Sequence, residues 1–130
     1  MKIFLLFVAG GIIFPCLELL WRRRTHVSMI FAGGISMLAL YWIFLIFPAL
    51  HIVFKSIISA LFITVLELVI GIVVNLIMRL NVWDYSKLRF NLLGQICPLF
   101  TAIWFGLSLI MLNMLSIAHS LLNVLLTANV

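Results

Sequence analysis

Four apolar runs, separated only by short polar breaks, decide what this chain can fold into. A helix needs about 20 apolar residues to cross the roughly 30 Å hydrocarbon layer of a bilayer, and residues 3–21, 29–50, 56–78 and 92–112 all come close to or exceed that length. Lipid leaves an open backbone unsatisfied, so spanning segments must be helices or a closed barrel. The period-two alternation of a barrel is missing from these runs. The expected fold class is therefore all-α, a polytopic four-transmembrane-helix bundle forming one domain over 1–130. Residues 113–130 either prolong helix four or lie on the surface as an amphipathic tail. At 67% hydrophobic and 8% charged, a soluble domain is excluded, since those average roughly 45–50% apolar.

The charges give the orientation. Six of the eight Lys and Arg (Arg22, Arg23, Arg24, Arg79, Lys87, Arg89) fall in or beside the breaks at 22–28 and 79–91, leaving Lys2 and Lys55 for the other side. The positive-inside rule then places both larger loops in the cytoplasm and the termini outside. These bases flank apolar runs and lack the aromatic-interleaved, solvated setting of a nucleic-acid surface. Their expected partner is the lipid bilayer, through its anionic headgroups, and no nucleic acid. Lys2 and the first run imitate a signal peptide, but the run ends in three arginines, which favours retention as an anchor. Cys16 and Cys97 lack metal or disulfide spacing and read as small buried apolar residues.

Polar and small residues recur on one face of each run. Ser56, Ala60, Thr64, Glu67, Gly71 and Asn75 fall within an arc of about 100° on helix three. Helix four repeats the pattern with Asn91, Gln95, Pro98, Ala102, Gly106 and Asn113, helix one with Gly11, Pro15, Glu18 and Arg22, and helix two with Ser28, Ala32, Ser36 and Ala39. These stripes predict either a polar seam through the bundle or simple close packing of small residues. A Glu late in the first helix of each half, followed by a basic loop and a glycine in the next helix, also suggests a tandem helical-hairpin repeat.

Glu67 is the strongest single signal, because an ionisable group in mid-membrane is costly unless paired, protonated or hydrated. It reads as a cation, proton or substrate site, or as a structural group bonded to Gln95, Asn75 or backbone. Glu18 precedes Arg22 by one turn, an ordinary i,i+4 pair, yet it also falls where it can share an inner vestibule with Glu67. One of Arg22–Arg24 can turn inward to Asp84 or to an anionic ligand; otherwise they anchor in headgroups. His26, beside the membrane, reads either as a pH-responsive group or as a plain surface residue. The longest polar break, 81–97, reads as a cytoplasmic loop plus the first turn of helix four. Trp83 and Tyr85 suit the membrane interface, and Asp84 or Ser86 suits a helix cap, but the hydrogen-bonding groups outnumber what a cap needs. The candidate substrate- or ion-binding residues are Glu18, Glu67, Asn75, Asp84, Tyr85, Asn91 and Gln95, with Arg22, His26, Ser28, Trp83 and Ser86 at the loop and interface. No metal-ligand spacing, nucleophile elbow or phosphate loop is present in the sequence. No catalytic residue, metal or cofactor is therefore assigned, and any ATP hydrolysis falls to another chain.

Gly10-Gly11, Glu18, Arg22, Thr25-His26-Val27-Ser28-Met29, Gly33-Gly34, Glu67, Gly71, Asn75, Trp83-Asp84-Tyr85-Ser86 and Asn91-Leu92-Leu93-Gly94-Gln95-Ile96-Cys97 together resemble the CmpB-like type IV ABC-transporter permease family of small membrane proteins. The likeness runs to about Ser108 and is most specific in its second half; Arg89 stands where the family pattern has proline. The resemblance implies a multi-pass protein of the bacterial inner membrane that serves as a transport component. Four helices make a small path, so a permease of this size is expected to form a homo-oligomer or join another membrane subunit, with a separate ATPase chain. Two alternatives stand beside it: a membrane-embedded enzyme acting on a lipid or lipid-linked substrate, and a structural or regulatory subunit of a membrane complex.

Overall fold

Each apolar run becomes a helix, while caps and turn residues, not hydropathy, fix where it ends. The computed structural model describes residues 1–128. In chain order these form α1 (Lys2–Arg22), α2 (Val27–Ile46), α3 (Ile52–Gly71), a π-helical turn (Ile72–Ile77) that continues α3, and α4 (Pro98–Ala128). Four spans, with α3 and its π turn counted together, are long and apolar enough to cross a membrane. Among the described residues there is no strand, only an isolated bridge between Leu92 and Ile96.

The boundaries depart from the hydropathy reading for local reasons. His26 and His51 cap α2 and α3, their Nδ1 atoms accepting from the Ser28 and Val53 amides at 3.2 and 3.3 Å. Helix two ends at Ile46 instead of 50, since the residue before Pro48 is driven out of the helical region; Phe47 has φ −114°. Helix three starts at Ile52, so Lys55 is not a loop residue. It is buried in the first turn of α3, with its Nζ 5.1 Å from the Phe44 ring centroid. Helix four starts at Pro98 instead of 92. Phe90, Leu93 and Gly94 take φ of 56°, 55° and 68°, values a right-handed helix does not admit, and proline suits a first helical position. Beyond 112 the chain stays helical without interruption to Ala128, so α4 is about 46 Å long at about 1.5 Å per residue.

Helix α1 packs along α2, α3 along α4, and α2 also contacts both α3 and α4. The α1–α2 approach is backbone to backbone: a Cβ on Gly10 would collide with the Gly33 carbonyl, and one on Gly33 with that of Gly10. On α4 the expected polar face is not the packed one. Trp104, Ser108 and Leu112 are buried, while Pro98 and Ala102 are exposed and nothing lies within 4 Å of where a Gly106 Cβ would sit. Burying an indole and a leucine removes far more apolar surface than burying alanine and glycine, and that outweighs the small-residue stripe. Cys97 is buried as expected, but Cys16 is exposed on the outer surface of α1.

The segment joining α3 to α4 is not a surface loop. Val82, Trp83, Tyr85, Gln95 and Cys97 are buried in it, and several of these form a core with Met29 of α2 and Val74 of the π turn. Arg24 donates to the carbonyls of Asn81 and Val82 at 2.7 and 3.1 Å. The α1–α2 link and the 78–97 segment therefore close the same end of the bundle.

Candidate functional site

The π turn prepares the site. Its wider ring carries Asn75 to the 78–97 segment, where the side chain is fully engaged: Nδ2 donates to the Trp83 carbonyl at 3.0 Å and to Gln95 Oε1 at 2.8 Å, while Oδ1 accepts from the Val82 amide at 2.6 Å. Gln95 Nε2 in turn donates to the Leu93 carbonyl at 2.9 Å, and the Trp83 indole N–H to the Gln95 carbonyl at 2.9 Å. Gly71 makes room for this knot, because a Cβ there would stand 2.5 Å from Gln95 Oε1 and 3.0 Å from the Trp83 ring. Asn75, Gln95 and Trp83 thus satisfy one another and fold the segment inward.

Above that knot lies Glu67. Tyr85 Oη donates to its Oε1 at 2.7 Å and the Trp104 indole N–H to its Oε2 at 3.0 Å. Gln95 and Asn75, the partners expected for it, are committed to each other. Phe100 stacks on the Tyr85 ring with centroids 4.3 Å apart, and Phe14 of α1 stacks on Trp104 at 5.0 Å. The Tyr85 phenol is held above its ordinary pKa, first by burial and then by the Glu67 carboxylate beside it, so it serves as a hydrogen-bond donor across the physiological range.

These groups line a cavity of about 340 Å³ with α2 residues Met29, Ala32 and Ser36 as its floor, α1 as one wall and α3–α4 as the other. Leu17, Trp21 and Ile103 line it and are also exposed, so the cavity opens sideways between α1 and the α3–α4 pair. A second cavity of about 230 Å³ continues along the bundle, and Phe14, Trp104 and Ser36 line both. The Ser36 hydroxyl is buried without a hydrogen-bond partner.

Glu18 lines the same cavity as Glu67. It pairs with Arg22 and accepts from Thr25 Oγ1 at 2.7 Å. The Arg22 guanidinium also lies 6.0 Å from the Trp83 ring centroid and donates to the Val82 carbonyl at 3.4 Å. The structure thus joins Glu18, Arg22, Glu67, Trp83 and Tyr85 around one space and turns the remaining candidates elsewhere. Asp84 is exposed and, among the described residues, pairs with no arginine: its two oxygens accept from the Ser86 amide and hydroxyl at 2.8 and 2.9 Å, which hold its carboxyl below the usual range. Asn91 fastens the turn by donating to the Ser86 and Leu88 carbonyls and accepting from the Gly94 amide. His26 and Ser28 bond each other at the start of α2. Among the described residues no three His, Cys, Asp or Glu side chains gather as a metal-binding group.

Residues 3–129 match the family described as Putative ABC-transporter type IV. The chain belongs to this family. Comparison with curated proteins and with solved structures returned no match. Family and helices together make it a multi-pass membrane protein related to ABC transporters. For this family member, sequence reading missed Trp104, Phe14 and Phe100. They are ordinary aromatics in apolar runs, and only the fold brings them to Glu67. Trp104 falls in the second turn of α4 on the face opposite the small-residue stripe, so periodicity directed attention away from it.

Proposed function

We propose that this chain is a permease subunit of a bacterial inner-membrane transporter and that the side-opening cavity around Glu67 is its substrate path. One observation carries the reading: a carboxylate from the middle of a spanning helix lines a side-opening cavity, and its hydrogen-bond partners among the described residues are the neutral donors Tyr85 and Trp104. Intramembrane ionisable groups that face a cavity mark ion or substrate pathways. The family match over 3–129 supports the transport assignment. The basic residues at the end closed by Arg24 and the 78–97 segment favour a cytoplasmic placement for that end. ATP hydrolysis is assigned to a separate chain, and a second membrane subunit or further copies of this chain complete the path. The Asn75–Gln95–Trp83 knot, saturated by its own hydrogen bonds, is assigned a structural role within this scheme.

Gentle-detergent extraction of the tagged protein from its native membranes, followed by mass spectrometry of what co-purifies, tests the assignment. An ATPase and a membrane partner are expected. Recovery of the chain with neither, under conditions that keep it folded, would overturn the permease-subunit reading.

A further inference from the structure

We infer that the cavity around Glu67 binds a lipophilic monocation, which reaches it sideways from the bilayer. The inference rests on the reading of this cavity as a substrate path and names the class of substrate.

Charge decides the sign. Three ionisable carboxylate or guanidinium groups line the cavity: Glu18, Arg22 and Glu67. Glu18 and Arg22 form an ion pair and cancel. Glu67 accepts from two neutral donors and, among the described residues, forms no ion pair, while Arg22 acts on it only electrostatically; with Glu67 ionised, the lining carries one net negative charge. An ionised carboxylate offers about four lone-pair sites; Tyr85 and Trp104 use one on each oxygen, which leaves room for a ligand. A buried charge is expensive until a counter-charge arrives, and a cationic ligand supplies it.

The walls decide the rest of the chemistry. Phe14, Phe100, Tyr85, Trp83 and Trp104 line the same cavity as the carboxylate, in stacked pairs Tyr85–Phe100 and Phe14–Trp104, and this aromatic wall suits a cation that has shed its water. The remaining lining is apolar apart from the Ser36 hydroxyl, and the volume of about 340 Å³ lies at the lower end of small-molecule sites. Leu17, Trp21 and Ile103, exposed at the opening, belong to helices long and apolar enough to span a membrane, so a ligand entering between them must be soluble in lipid. A small hydrated cation has no ring of oxygen ligands here, and an anion would meet Glu67 with only a paired arginine to offset it.

Tetraphenylphosphonium and tetraphenylborate, alike in shape and opposite in charge, separate these possibilities. Binding is measured by equilibrium dialysis against the full chain in phosphatidylcholine nanodiscs, with empty discs subtracted. The expected result is specific binding of the cation at least about tenfold tighter than of the anion, the effect of a single uncompensated charge in a partly dry site. Glu67→Gln should lower cation affinity by about tenfold or more and should not weaken, and is expected to strengthen, binding of the anion. Equal binding of the two ions, or a cation affinity indifferent to Glu67→Gln, overturns the inference. If Glu67→Gln does not fold, the ratio for the unaltered chain decides alone. Charge-selective binding without an ATPase partner would keep the site and remove the permease role. A partner without charge-selective binding would do the reverse.

Discussion

The Asn75 side chain holds the 78–97 segment inside the bundle, and Asn75→Ala measures how much. Its removal leaves three groups without their partners: the Val82 amide, the Trp83 carbonyl and Gln95 Oε1. All three residues are buried, Trp83 at 2% and Gln95 at 3% relative exposure, so water does not simply replace the lost contacts. A buried polar group left unpaired costs about 1–3 kcal/mol. Carbonyl oxygens with a second lone pair fall at the low end of that range, and the space vacated by the amide admits some relaxation. The expected loss of unfolding free energy is therefore about 2–5 kcal/mol in total. Asn91→Ala is the matched control, because it removes an asparagine that also makes three hydrogen bonds in the same segment, two of them donated to the Ser86 and Leu88 carbonyls near the surface. Its expected cost is about 0.5–1.5 kcal/mol. Both variants are compared with the unaltered protein by SDS-titrated unfolding in mixed micelles, with amide exchange at 82–96 followed in parallel. The segment should lose exchange protection in Asn75→Ala before the helices do. An Asn75→Ala variant no less stable than Asn91→Ala would refute the claim that this knot, and not the outer turn, fixes the segment.

Gly71→Ala should cost about 1–3 kcal/mol by overpacking, because its Cβ meets Gln95 Oε1. It should be non-additive with Asn75→Ala in a double-mutant cycle, since both act on one hydrogen bond; simple additivity would place the clash elsewhere. Gly10→Leu, which drives a side chain into the Gly33 carbonyl, should lower the unfolding midpoint sharply, whereas Gly106→Leu, with open space beside it, should leave it within error. Tyr85 keeps its proton longer in the folded protein than in the unfolded chain. Its contribution to stability is therefore complete below the ordinary tyrosine value of about 10 and is lost as pH rises beyond it. Tyr85→Phe should flatten the alkaline limb of a stability-pH curve, and an unchanged limb would contradict the burial argument. Asp84 runs the other way: its carboxyl is held low by Ser86, so the turn it closes is intact above the usual carboxylate range and opens as pH falls below it. Faster exchange of the Ser86 amide in acid, abolished in Asp84→Asn, is the expected signature.

Four helices, all-α class and membership of a transporter family were legible because apolar length and a specific motif string are one-dimensional signals. The ends of the helices were less so. Pro48 marks its own boundary, but Phe90 and Leu93 enter the left-handed region through contacts within the 78–97 segment that no propensity announces. The site divided along the same line. Glu67 stood out on its own, since burying a carboxylate in lipid needs a reason at any fold, and the Glu18–Arg22 pair followed from one helical turn. Which groups would meet Glu67 depended on how far the segment after the π turn folds back, and that depends on Asn75 reaching Val82, Trp83 and Gln95 at once.

That dependence also explains why the most conspicuous polar stretch is not itself the cavity. Its hydrophilic residues, Asp84, Ser86 and Asn91, spend their hydrogen bonds on the turn they belong to. The residues they interleave, Trp83 and Tyr85, go inward. Folding the backbone back into the membrane end requires every donor and acceptor to find a protein partner, so a segment dense in amides is what permits an aromatic pair to be delivered there. Tyr85 is the residue through which the stretch touches Glu67, and the density of polar groups around it is the condition for placing it.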